Sequence, residues 1–349
     1  MREVMSGATS FTSVPVIDIS GLVSAEPAAR SRVATELGAA AREVGFFYIS
    51  GAGVPDVLFD RMVTKTKEFF ALPTEEKMRF YIGLSKCHRG YVPIGEEGVS
   101  DERPDLKEAF DTALDLPADD PDYRAGNPML GPNVWPPVAG FADAVTAYYR
   151  AVLQVGQRLL VAFAVALGEE PDTFSRHATK TPSQLRLIHY PYNPDAEDHH
   201  GVGAHSDYEC FTLLKPTAPG LEVLNGAGQW IDAPPIPDTF VVNIGDMLEL
   251  WTNGEFIATT HRVRHVKEER YSFPLFFNVD YHTVVKPLPR FVSRNDRPRP
   301  ALLAGEHLFA QTVQTFAYLR DRLKRGELTL PERSMPVGSF GQQALQARR

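Results

Sequence analysis

From Ser183 to about Tyr281 the sequence consists of short apolar runs separated by turn signals such as "NGAG" (225–228) and "NG" (253–254). Short runs of this kind, bounded by glycine and asparagine, are typical of β-strands. The runs are "LRLIHY", "CFTLL", "GLEVL", "QWIDA", "TFVVNI", "MLELW", "HRVRHV" and "YSFPLFFNV". Such a series of short strands predicts an antiparallel barrel or sandwich, and it limits the possible folds more than any other feature of the chain.

The regions on both sides of this strand-rich segment have helical patterns. The longest extends from about Val138 to Leu167, where apolar residues recur at steps of three and four. Two helices are predicted before it, one ending at Gly45 and one following Pro55, and another is predicted at 306–325. We therefore predict a mainly β protein with flanking α-helices.

Changes in composition divide the chain into four segments. We expect an N-terminal α/β region at 1–137 and a scaffold helix with a connection at 138–182. The strand-rich core follows at 183–285, and a C-terminal helical segment and tail at 286–349 complete the chain. No internal repeat is present in the sequence.

The composition limits the partners and the compartment. The formal net charge is −8, with no basic cluster, so neither nucleic acid nor a membrane surface is an expected partner. The N-terminus lacks the apolar core of a signal peptide, and no run of about 18 uncharged apolar residues is present. The two cysteines, Cys87 and Cys210, do not support a disulfide framework. We expect a cytoplasmic protein with a small-molecule substrate or an ordinary protein partner, and the oligomeric state stays open.

The stretch "GVGAHSDYECF" (201–211) places His205 and Asp207 two residues apart. Because alternate residues of a strand share a face, an imidazole and a carboxylate at this spacing would converge on one point. His261 follows in a later strand, which a closed sheet can bring back beside the first. Two histidines and one carboxylate on one side of a metal are typical of non-haem iron(II) oxygenases.

Other residues compete for these roles. His199 and His200 are rival ligands, although the polar run "DAEDHHG" is typical of a solvated loop. His265 would share the strand face of His261 and is the strongest alternative ligand. Pairs of this kind also arise by chance, in which case His205 and Asp207 would be ordinary strand residues.

Arg270 and Ser272 form a second pair of this spacing shortly after His261. A guanidinium that points into a barrel lined by Phe, Leu and Val needs an anionic partner. A carboxylate-bearing cosubstrate, bound through charge-assisted hydrogen bonds, would meet that need. The alternative is a local ion pair of Arg270 with Glu268 or Glu269.

In this order along the chain, these motifs resemble the isopenicillin N synthase-like family of Fe(II)/2-oxoglutarate-dependent oxygenases. The resemblance extends over about residues 14–320. It is carried by "VPVIDIS", "GFFYISGAGV", "FFALPTEEK", "RGYVP", "LRLIHYPY", "HSD", "FVVNIGDMLELWTNG", "HRV" and "RYS". It implies a double-stranded β-helix (jelly-roll) core at 183–285 that uses Fe(II), the cosubstrate 2-oxoglutarate and O2.

The resemblance also implies roles for individual residues. His205, Asp207 and His261 would be the iron ligands and the catalytic centre. Arg270 and Ser272 would bind the distal carboxylate of 2-oxoglutarate. The implied reaction is the oxidation of an unactivated C–H bond of a small metabolite by hydroxylation, desaturation or cyclisation, in specialised metabolism.

The segment around Tyr190 both supports and departs from the family pattern. Tyr190 matches a tyrosine that, in the family, contacts the carboxylate of the cosubstrate or of the substrate near the iron, which implies a cofactor-binding role. Ile188 stands where many plant members carry an asparagine. In this respect "LIHYPY" is closer to isopenicillin N synthase itself, which uses no 2-oxoglutarate. An oxidase of that kind and a binding protein that keeps the barrel without catalysis are therefore alternatives. A zinc hydrolase is less favoured, because no general-base motif such as HExxH accompanies the ligands.

Four residues are candidates for contact with the substrate. They are Phe211 and Tyr208 after the metal pair, Arg89 in the N-terminal region, and Asn278 at the end of the Arg270 strand. Alternation would turn Phe211 toward the cavity, and Arg89 would belong to a polar wall near its mouth. For each of these four residues the alternative is a structural role, either packing in the sheet or a place in a solvated loop. The sequence does not predict which metabolite is bound.

Overall fold

The computed structural model describes residues 9–98, 106–192, 202–264, 268–292 and 299–332. In chain order the strands are β1 (Val16–Asp18), β2 (Phe46–Ser50), β3 (Gly90–Val92), β4 (Glu108–Ala113), β5 (Gln184–Tyr190), β6 (Val202–His205), β7 (Phe211–Pro216), β8 (Leu221–Leu224), β9 (Trp230–Asp232), β10 (Phe240–Ile244), β11 (His261–Val263), β12 (Arg270–Phe277), β13 (Val284–Val285) and β14 (Leu302–Leu303). The α-helices are α1 (Pro27–Glu43), α2 (Asp56–Phe70), α3 (Thr74–Met78), α4 (Pro121–Arg124), α5 (Phe141–Ala166), α6 (Asp246–Trp251), α7 (Ala304–Thr315) and α8 (Ala317–Lys324).

A large sheet of eight strands forms one wall of the fold, in the order β1-β2-β10-β7-β12-β5-β4-β3. Its neighbouring strands are antiparallel, except that β1 and β2 are parallel. Strands β1 to β4 come from the predicted N-terminal region and extend the same sheet as the strands of the predicted core. The boundaries of the four segments stay predictions.

A small antiparallel sheet, in the order β6-β11-β8-β9, forms the opposite wall. The two sheets meet in an apolar cluster that includes Phe46 and Leu214 of the large sheet and Leu221 and Val223 of the small one. The Phe46 ring also lies 5.1 Å, between centroids, from the ring of His261 in the small sheet. Two facing antiparallel sheets are the arrangement of a double-stranded β-helix, so the predicted fold class is confirmed.

Helix α5 packs against the outer face of the large sheet. The apolar spacing predicted a helix at about 138–167, and the structure places it at Phe141–Ala166. Gly156 allows the close approach, because a Cβ atom at this position would overlap the Phe277 ring of β12. No helix within the described ranges combines the length and the apolar character needed to cross a membrane.

One predicted strand is a helix. The run "MLELW" lies in α6, whose first backbone N–H groups, from Asp246 and Met247, donate to the carbonyls of Asp207 and Glu209 at 2.7 and 3.1 Å. These bonds turn the chain into a helix directly after β10, and the apolar residues are buried just as a strand would have buried them. The structure also contains β6, a short strand that agrees with the strand expected at His205, although this strand is not among the apolar runs quoted above.

The predicted C-terminal helix is divided in two. Helices α7 and α8 meet at Phe316, whose backbone is extended with φ −97° and ψ 130°. A β-bridge joins Phe316 to Glu97, so this corner is held against the N-terminal region. The break between α7 and α8 therefore allows Phe316 to pair with Glu97, a residue far away in the sequence, and such a contact cannot be predicted from the local sequence.

Replacing Gly156 by alanine is expected to destabilise the fold. Glycine to alanine within a helix ordinarily stabilises by about 1 kcal/mol, whereas overpacking of a core costs about 1–3 kcal/mol. Since the added methyl group would overlap the Phe277 ring, the cost of overpacking should exceed the gain in helix stability. Thermal unfolding of Gly156→Ala should occur at a lower Tm than that of the wild type, while Gln157→Ala, on the exposed side of α5, should not lower it. An unchanged Tm for Gly156→Ala would contradict this packing.

Candidate metal centre and active site

The small sheet brings two histidines together. His205 is the last residue of β6, His261 is the first of β11, and the register pairs them directly. Asp207 lies beyond the end of β6, so the predicted shared strand face is wrong, yet the side chain still converges on the histidines. Its Oδ1 atom lies 3.5 Å from His205 Nε2 and 3.6 Å from His261 Nε2. The three ligand atoms lie within 4.8 Å of one another, which fits a single divalent ion.

In the part of the chain that the structure describes, this triad is the one group of histidine and acidic side chains arranged to hold a metal. The rival ligands His199, His200 and His265 lie outside the described residues. The predicted convergence of His205, Asp207 and His261 agrees with the geometry. Whether His199, His200 or His265 could replace one of them stays open, because these residues are outside the described ranges.

The hydrogen bonds of the two imidazoles orient them toward a metal. His205 Nδ1 lies 2.8 Å from the carbonyl oxygen of Gly203, and His261 Nδ1 lies 3.3 Å from that of Thr259. A carbonyl oxygen only accepts, so in each ring the Nδ1–H donates and the proton is fixed on that nitrogen. Both Nε2 lone pairs are thereby left for a metal, as in most histidine-ligated sites.

The carboxylate of Asp207 is held by two residues that the sequence analysis did not predict. Its Oδ2 atom accepts from the Thr212 hydroxyl of β7 and from Asn243 Nδ2 of β10, the latter at 2.7 Å. These bonds occupy one carboxylate oxygen and leave Oδ1 directed at the histidines. The available signal was a lone polar residue inside an apolar strand, in "CFTLL" and in "TFVVNI".

The electrostatics of the triad suit a bound cation. Burial, together with the neighbouring His205, lowers the pKa of His261 to about 4. Burial opposes the charge of Asp207, but the neighbouring His261 and His205 and the hydrogen bond from Thr212 hold its pKa well below the usual range. Burial also acts against a charged His205, yet Asp207 raises its pKa above the usual value. An ionised carboxylate between two imidazoles is the donor set that binds a metal of intermediate hardness.

Removing the Thr212 hydroxyl is expected to weaken metal binding without removing a ligand. Thr212→Val keeps the shape of the side chain but leaves the Asp207 carboxylate held by Asn243 alone. Loss of such a supporting partner typically costs about 10–100-fold in metal affinity. Fe(II) titration under argon should show this loss, whereas Thr35→Val, on the exposed face of α1, should bind iron like the wild type. Equal affinities of Thr212→Val and wild type would show that the hydroxyl does not support the site.

A second group of buried polar side chains lies where β12 begins beside β5. Arg270 is fully buried; its Nε–H donates to the Ala218 carbonyl at 3.2 Å, and neither terminal nitrogen has a partner among the described residues. Its register partner Tyr190 places the ring centroid 4.8 Å from the Arg270 Cζ atom. Ser272 follows on the same face of β12. We call Arg270, Ser272 and Tyr190 the carboxylate anchor, because a buried guanidinium with free donors matches a ligand carboxylate.

The alternative of a local ion pair finds no support. The Glu269 Oε1 atom accepts from the Tyr271 hydroxyl at 3.0 Å and lies 3.2 Å from His189 Nε2. Tyr271 and His189 point to the opposite face of β12 and β5 from Arg270. Neither Glu268 nor Glu269 bonds to the terminal nitrogens of Arg270. The guanidinium is therefore directed into the fold and away from its sequence neighbours.

Phe211 does not face the His–Asp–His triad. Its ring is stacked on Phe277 with centroids 4.8 Å apart and lies 5.5 Å from the ring of Phe163 in α5. The chain bends at 208–210 between β6 and β7, and the bend interrupts the alternation that starts at His205. The predicted orientation of Phe211 toward the cavity is therefore wrong.

The other substrate candidates are buried to different degrees. Arg89 donates to three backbone carbonyls at 2.7–2.9 Å, so it braces loops and does not form the predicted polar wall at a mouth. Asn278 is fully buried beyond the far end of β12 from Arg270, where its backbone N–H donates to Ser183. Tyr208 is half-buried after Asp207, and its contact with substrate stays a prediction.

A group of buried charges that the sequence analysis did not predict lies further along β5. Arg186 donates from Nε and Nη2 to Asp111 at 2.7 and 2.8 Å, and from Nη1 to Glu97 at 2.7 Å. Lys107 Nζ lies 3.0 Å from the other oxygen of Glu97. We call these four residues the charge cluster. Alternation along β5 places Arg186 on the same face as Tyr190 of the carboxylate anchor.

Comparison with known proteins agrees with this geometry. Residues 14–138 match the family model described as non-haem dioxygenase in morphine synthesis N-terminal, and residues 181–279 match the 2OG-Fe(II) oxygenase superfamily. The 2-oxoglutarate-Fe(II) type oxidoreductase hxnY of Emericella nidulans is 33% identical over 299 residues, which cover 82% of this chain and 86% of the relative. Homoarginine-6-hydroxylase 2-ODD-233 of Oryza sativa subsp. japonica is 34% identical over 327 residues, which cover 88% of this chain and 99% of the relative. The crystal structure of a full-length Neurospora crassa protein in complex with alpha-KG superposes with a TM-score of 0.75 at 26% identity, covering 89% of this chain and 96% of that one.

With its jelly-roll fold, its His–Asp–His triad and these matches, the chain belongs to the 2OG-Fe(II) oxygenase superfamily. It is a 2-oxoglutarate-dependent non-haem iron dioxygenase that uses Fe(II), 2-oxoglutarate and O2 and acts on a small metabolite. The predicted family, enzyme class and cofactors are confirmed.

Proposed function

We propose that His205, Asp207 and His261 ligate the Fe(II) and that the carboxylate anchor binds the distal carboxylate of 2-oxoglutarate. The observation that carries this proposal is the fully buried Arg270 guanidinium, whose terminal nitrogens have no partner among the described residues. A buried cation without an anion is costly, so its presence in the same jelly roll as the triad supports an anionic ligand there. A dicarboxylate suits this arrangement, because one end can reach the metal while the other meets the guanidinium.

In this proposal the chain positions reactants and leaves the redox chemistry to the metal. When bound, Fe(II) with 2-oxoglutarate and O2 supplies the oxidising power that breaks a C–H bond. The imidazoles of His205 and His261 are oriented by backbone carbonyls, and Thr212 and Asn243 orient the carboxylate of Asp207. Ligands on one side of a metal leave the opposite coordination positions open. The burial of Asp207 and of the carboxylate anchor keeps water from these groups.

The reaction that we propose is oxidation of an unactivated C–H bond by hydroxylation, desaturation or cyclisation, in specialised metabolism. The name of the Oryza sativa relative supports hydroxylation and makes homoarginine one compound to test. The net charge of −8 supports a small-molecule substrate over nucleic acid or an anionic membrane. A cytoplasmic location is also proposed, supported by Cys87 and Cys210, which are both buried free thiols.

Succinate release tests the proposed function. Protein loaded with Fe(II) under argon is mixed with 2-oxoglutarate, air-saturated buffer and a panel of amino acids, phenolics and terpenoids, with chelator-treated protein as the control. We expect succinate and an oxidised product that both depend on Fe(II), 2-oxoglutarate and O2. Product with O2 uptake but without succinate would instead indicate an oxidase of the isopenicillin N synthase kind. A stoichiometric complex with no O2 uptake would indicate a binding protein.

A further inference from the structure

A groove of about 830 Å³ lies on the outer side of α5, between this helix and α1. Sites for metabolite-sized molecules usually have about 300–1,000 Å³, so the groove can hold one. The large sheet separates it from the metal centre: of two neighbours on β7, Phe211 packs on Phe163 of α5, whereas Thr212 points the other way and donates to Asp207. Among the described residues that line the groove, none belongs to the His–Asp–His triad or to the carboxylate anchor. The groove is therefore a second cavity.

The charged residues of the groove are all basic. Arg30 of α1 and Arg158 of α5 line it, and no acidic side chain does so in the part of the chain that the structure describes. The whole chain has 44 acidic residues against 36 lysines and arginines, so a wall with two arginines and no acid departs from its composition. Such a wall favours an anion over a neutral or cationic ligand.

Both guanidinium groups keep nitrogens for a ligand. Arg158 Nη2 donates to the carbonyl oxygen of Ala52 at 2.7 Å, and Arg30 Nη1 donates to that of Ser24 at 2.5 Å. The Nε atom and the other Nη atom of each arginine have no partner among the described residues. Burial lowers the pKa of Arg158, and no acidic group acts to raise it. The backbone contacts thus hold the two side chains in place without neutralising them, and a carboxylate would supply the counter-charge.

The groove changes from polar to apolar along α5. Its residues on this helix are polar over the first turn and apolar over the next two: Gln154, Gln157, Arg158, Val161, Ala162 and Val165. Val161 and Val165 are 36% and 37% exposed. With a rise of about 1.5 Å per residue, Val165 lies roughly 10 Å beyond Arg158 along the helix. A ligand with an anionic head and an apolar body of that length would therefore match both ends of the groove.

We propose that this groove binds a metabolite-sized carboxylate with an apolar body, such as an aliphatic or arylalkyl acid. The carboxylate accepts hydrogen bonds from the free nitrogens of Arg30 and Arg158. The apolar body covers Val161 and Val165 and removes them from water. Because the groove contains no residue of the metal centre, the inference goes beyond the proposed function and does not depend on it.

Pairs of ligands that share a shape but differ in charge test this inference. Octanoate and octanamide form one pair, and phenylbutyrate and phenylbutyramide form another. Calorimetry on protein loaded with Fe(II) and 2-oxoglutarate under argon gives the dissociation constants. In at least one pair the wild type should bind the carboxylate about tenfold or more tightly than the amide, because hydrogen bonds to a charged group are about twice as strong as neutral ones.

Variants locate the source of this preference. Arg158→Gln and Arg30→Gln should each bring the ratio of the two dissociation constants closer to one, while Arg158→Lys, which keeps the charge, should retain part of the preference. Arg264→Gln is the matched control, since this side chain is 49% exposed and does not line the groove. Val165→Asp should weaken binding of both ligands about tenfold, because it removes apolar surface. Should Arg158→Gln fail to fold, Arg30→Gln and Val165→Asp, both at exposed positions, decide the matter.

Three results overturn the inference. Equal binding of carboxylate and amide by the wild type, or binding of neither, would show that the groove does not select an anion. A wild-type ratio in both arginine variants would show that the carboxylate binds elsewhere. Association of two chains in gel filtration that Val165→Asp abolishes would show that a second copy of the chain covers the groove. Failure of the proposed function leaves these constants unchanged, because no turnover enters the measurement.

Discussion

Asp207→Ala is expected to bind no Fe(II) after gel filtration and to release no succinate. Asp207 is the carboxylate of the triad, and its Oδ1 atom lies within 3.6 Å of both histidine Nε2 atoms. Its loss leaves two neutral imidazoles, which do not balance the charge of the metal, and removes the acceptor of Thr212 and Asn243. Iron content per chain and succinate formation measure both effects.

A matched variant separates loss of the ligand from loss of an acidic group. Asp56, at the start of α2, has a side chain that is 64% exposed, so Asp56→Ala should bind one iron per chain and release succinate like the wild type. Circular dichroism and Tm establish that both variants are folded. A folded Asp207→Ala protein that still carried one iron per chain would rule out Asp207 as a ligand.

Arg270→Ala is expected to raise the dissociation constant and the KM for 2-oxoglutarate while iron loading persists. Removing one partner of a buried, hydrogen-bonded charge pair costs at least about 2 kcal/mol, or roughly thirtyfold in affinity. The dissociation constant of Arg270→Lys for 2-oxoglutarate should lie between those of the wild type and of Arg270→Ala, because lysine keeps the positive charge but lacks the planar, two-pronged donor geometry of a guanidinium. Titration of the Fe(II) protein with 2-oxoglutarate under argon, followed by its visible charge-transfer band, gives the constants.

The control for this change is a cation outside the site. Arg264 has a side chain that is 49% exposed and lies 3.7 Å from Asp232, so Arg264→Ala should bind 2-oxoglutarate like the wild type. If Arg270→Ala needs no more 2-oxoglutarate than the wild type, the carboxylate anchor does not bind the cosubstrate.

Much of the fold could be predicted because strands and helices leave a period in the sequence. The long helix was predicted within three residues of Phe141–Ala166, since its apolar positions recur at helical steps. The run "MLELW" was assigned to the wrong element, because five residues of this kind suit a strand or a helix. The hydrogen bonds from α6 to the carbonyls of Asp207 and Glu209 decide for the helix, and they join segments distant in sequence.

The convergence of His205, Asp207 and His261 and the burial of Arg270 could be predicted because their residue types carry a chemical requirement. Two imidazoles and a carboxylate suggest a metal, and a guanidinium in an apolar strand suggests an anion. The predicted orientation of Phe211 is wrong for a geometric reason, because the bend at 208–210 interrupts the strand alternation on which the prediction relied.

The supporting residues of the site depend on strand register, which the sequence does not specify. Thr212 and Asn243 support Asp207 because they are register partners in β7 and β10. Arg186 meets Asp111 because β4 and β5 pair at these two residues. A polar residue in an apolar run is a visible signal, but its partner becomes known only once the strands are aligned.

A crystal structure with Mn(II) in place of iron and with 2-oxoglutarate would identify the metal ligands through the anomalous signal of the metal, and would locate the cosubstrate. We expect a single anomalous peak bonded to His205 Nε2, Asp207 Oδ1 and His261 Nε2, with the distal carboxylate of 2-oxoglutarate on Arg270 and Ser272. A metal held by other residues, or a 2-oxoglutarate whose distal carboxylate lies away from Arg270, would contradict this expectation.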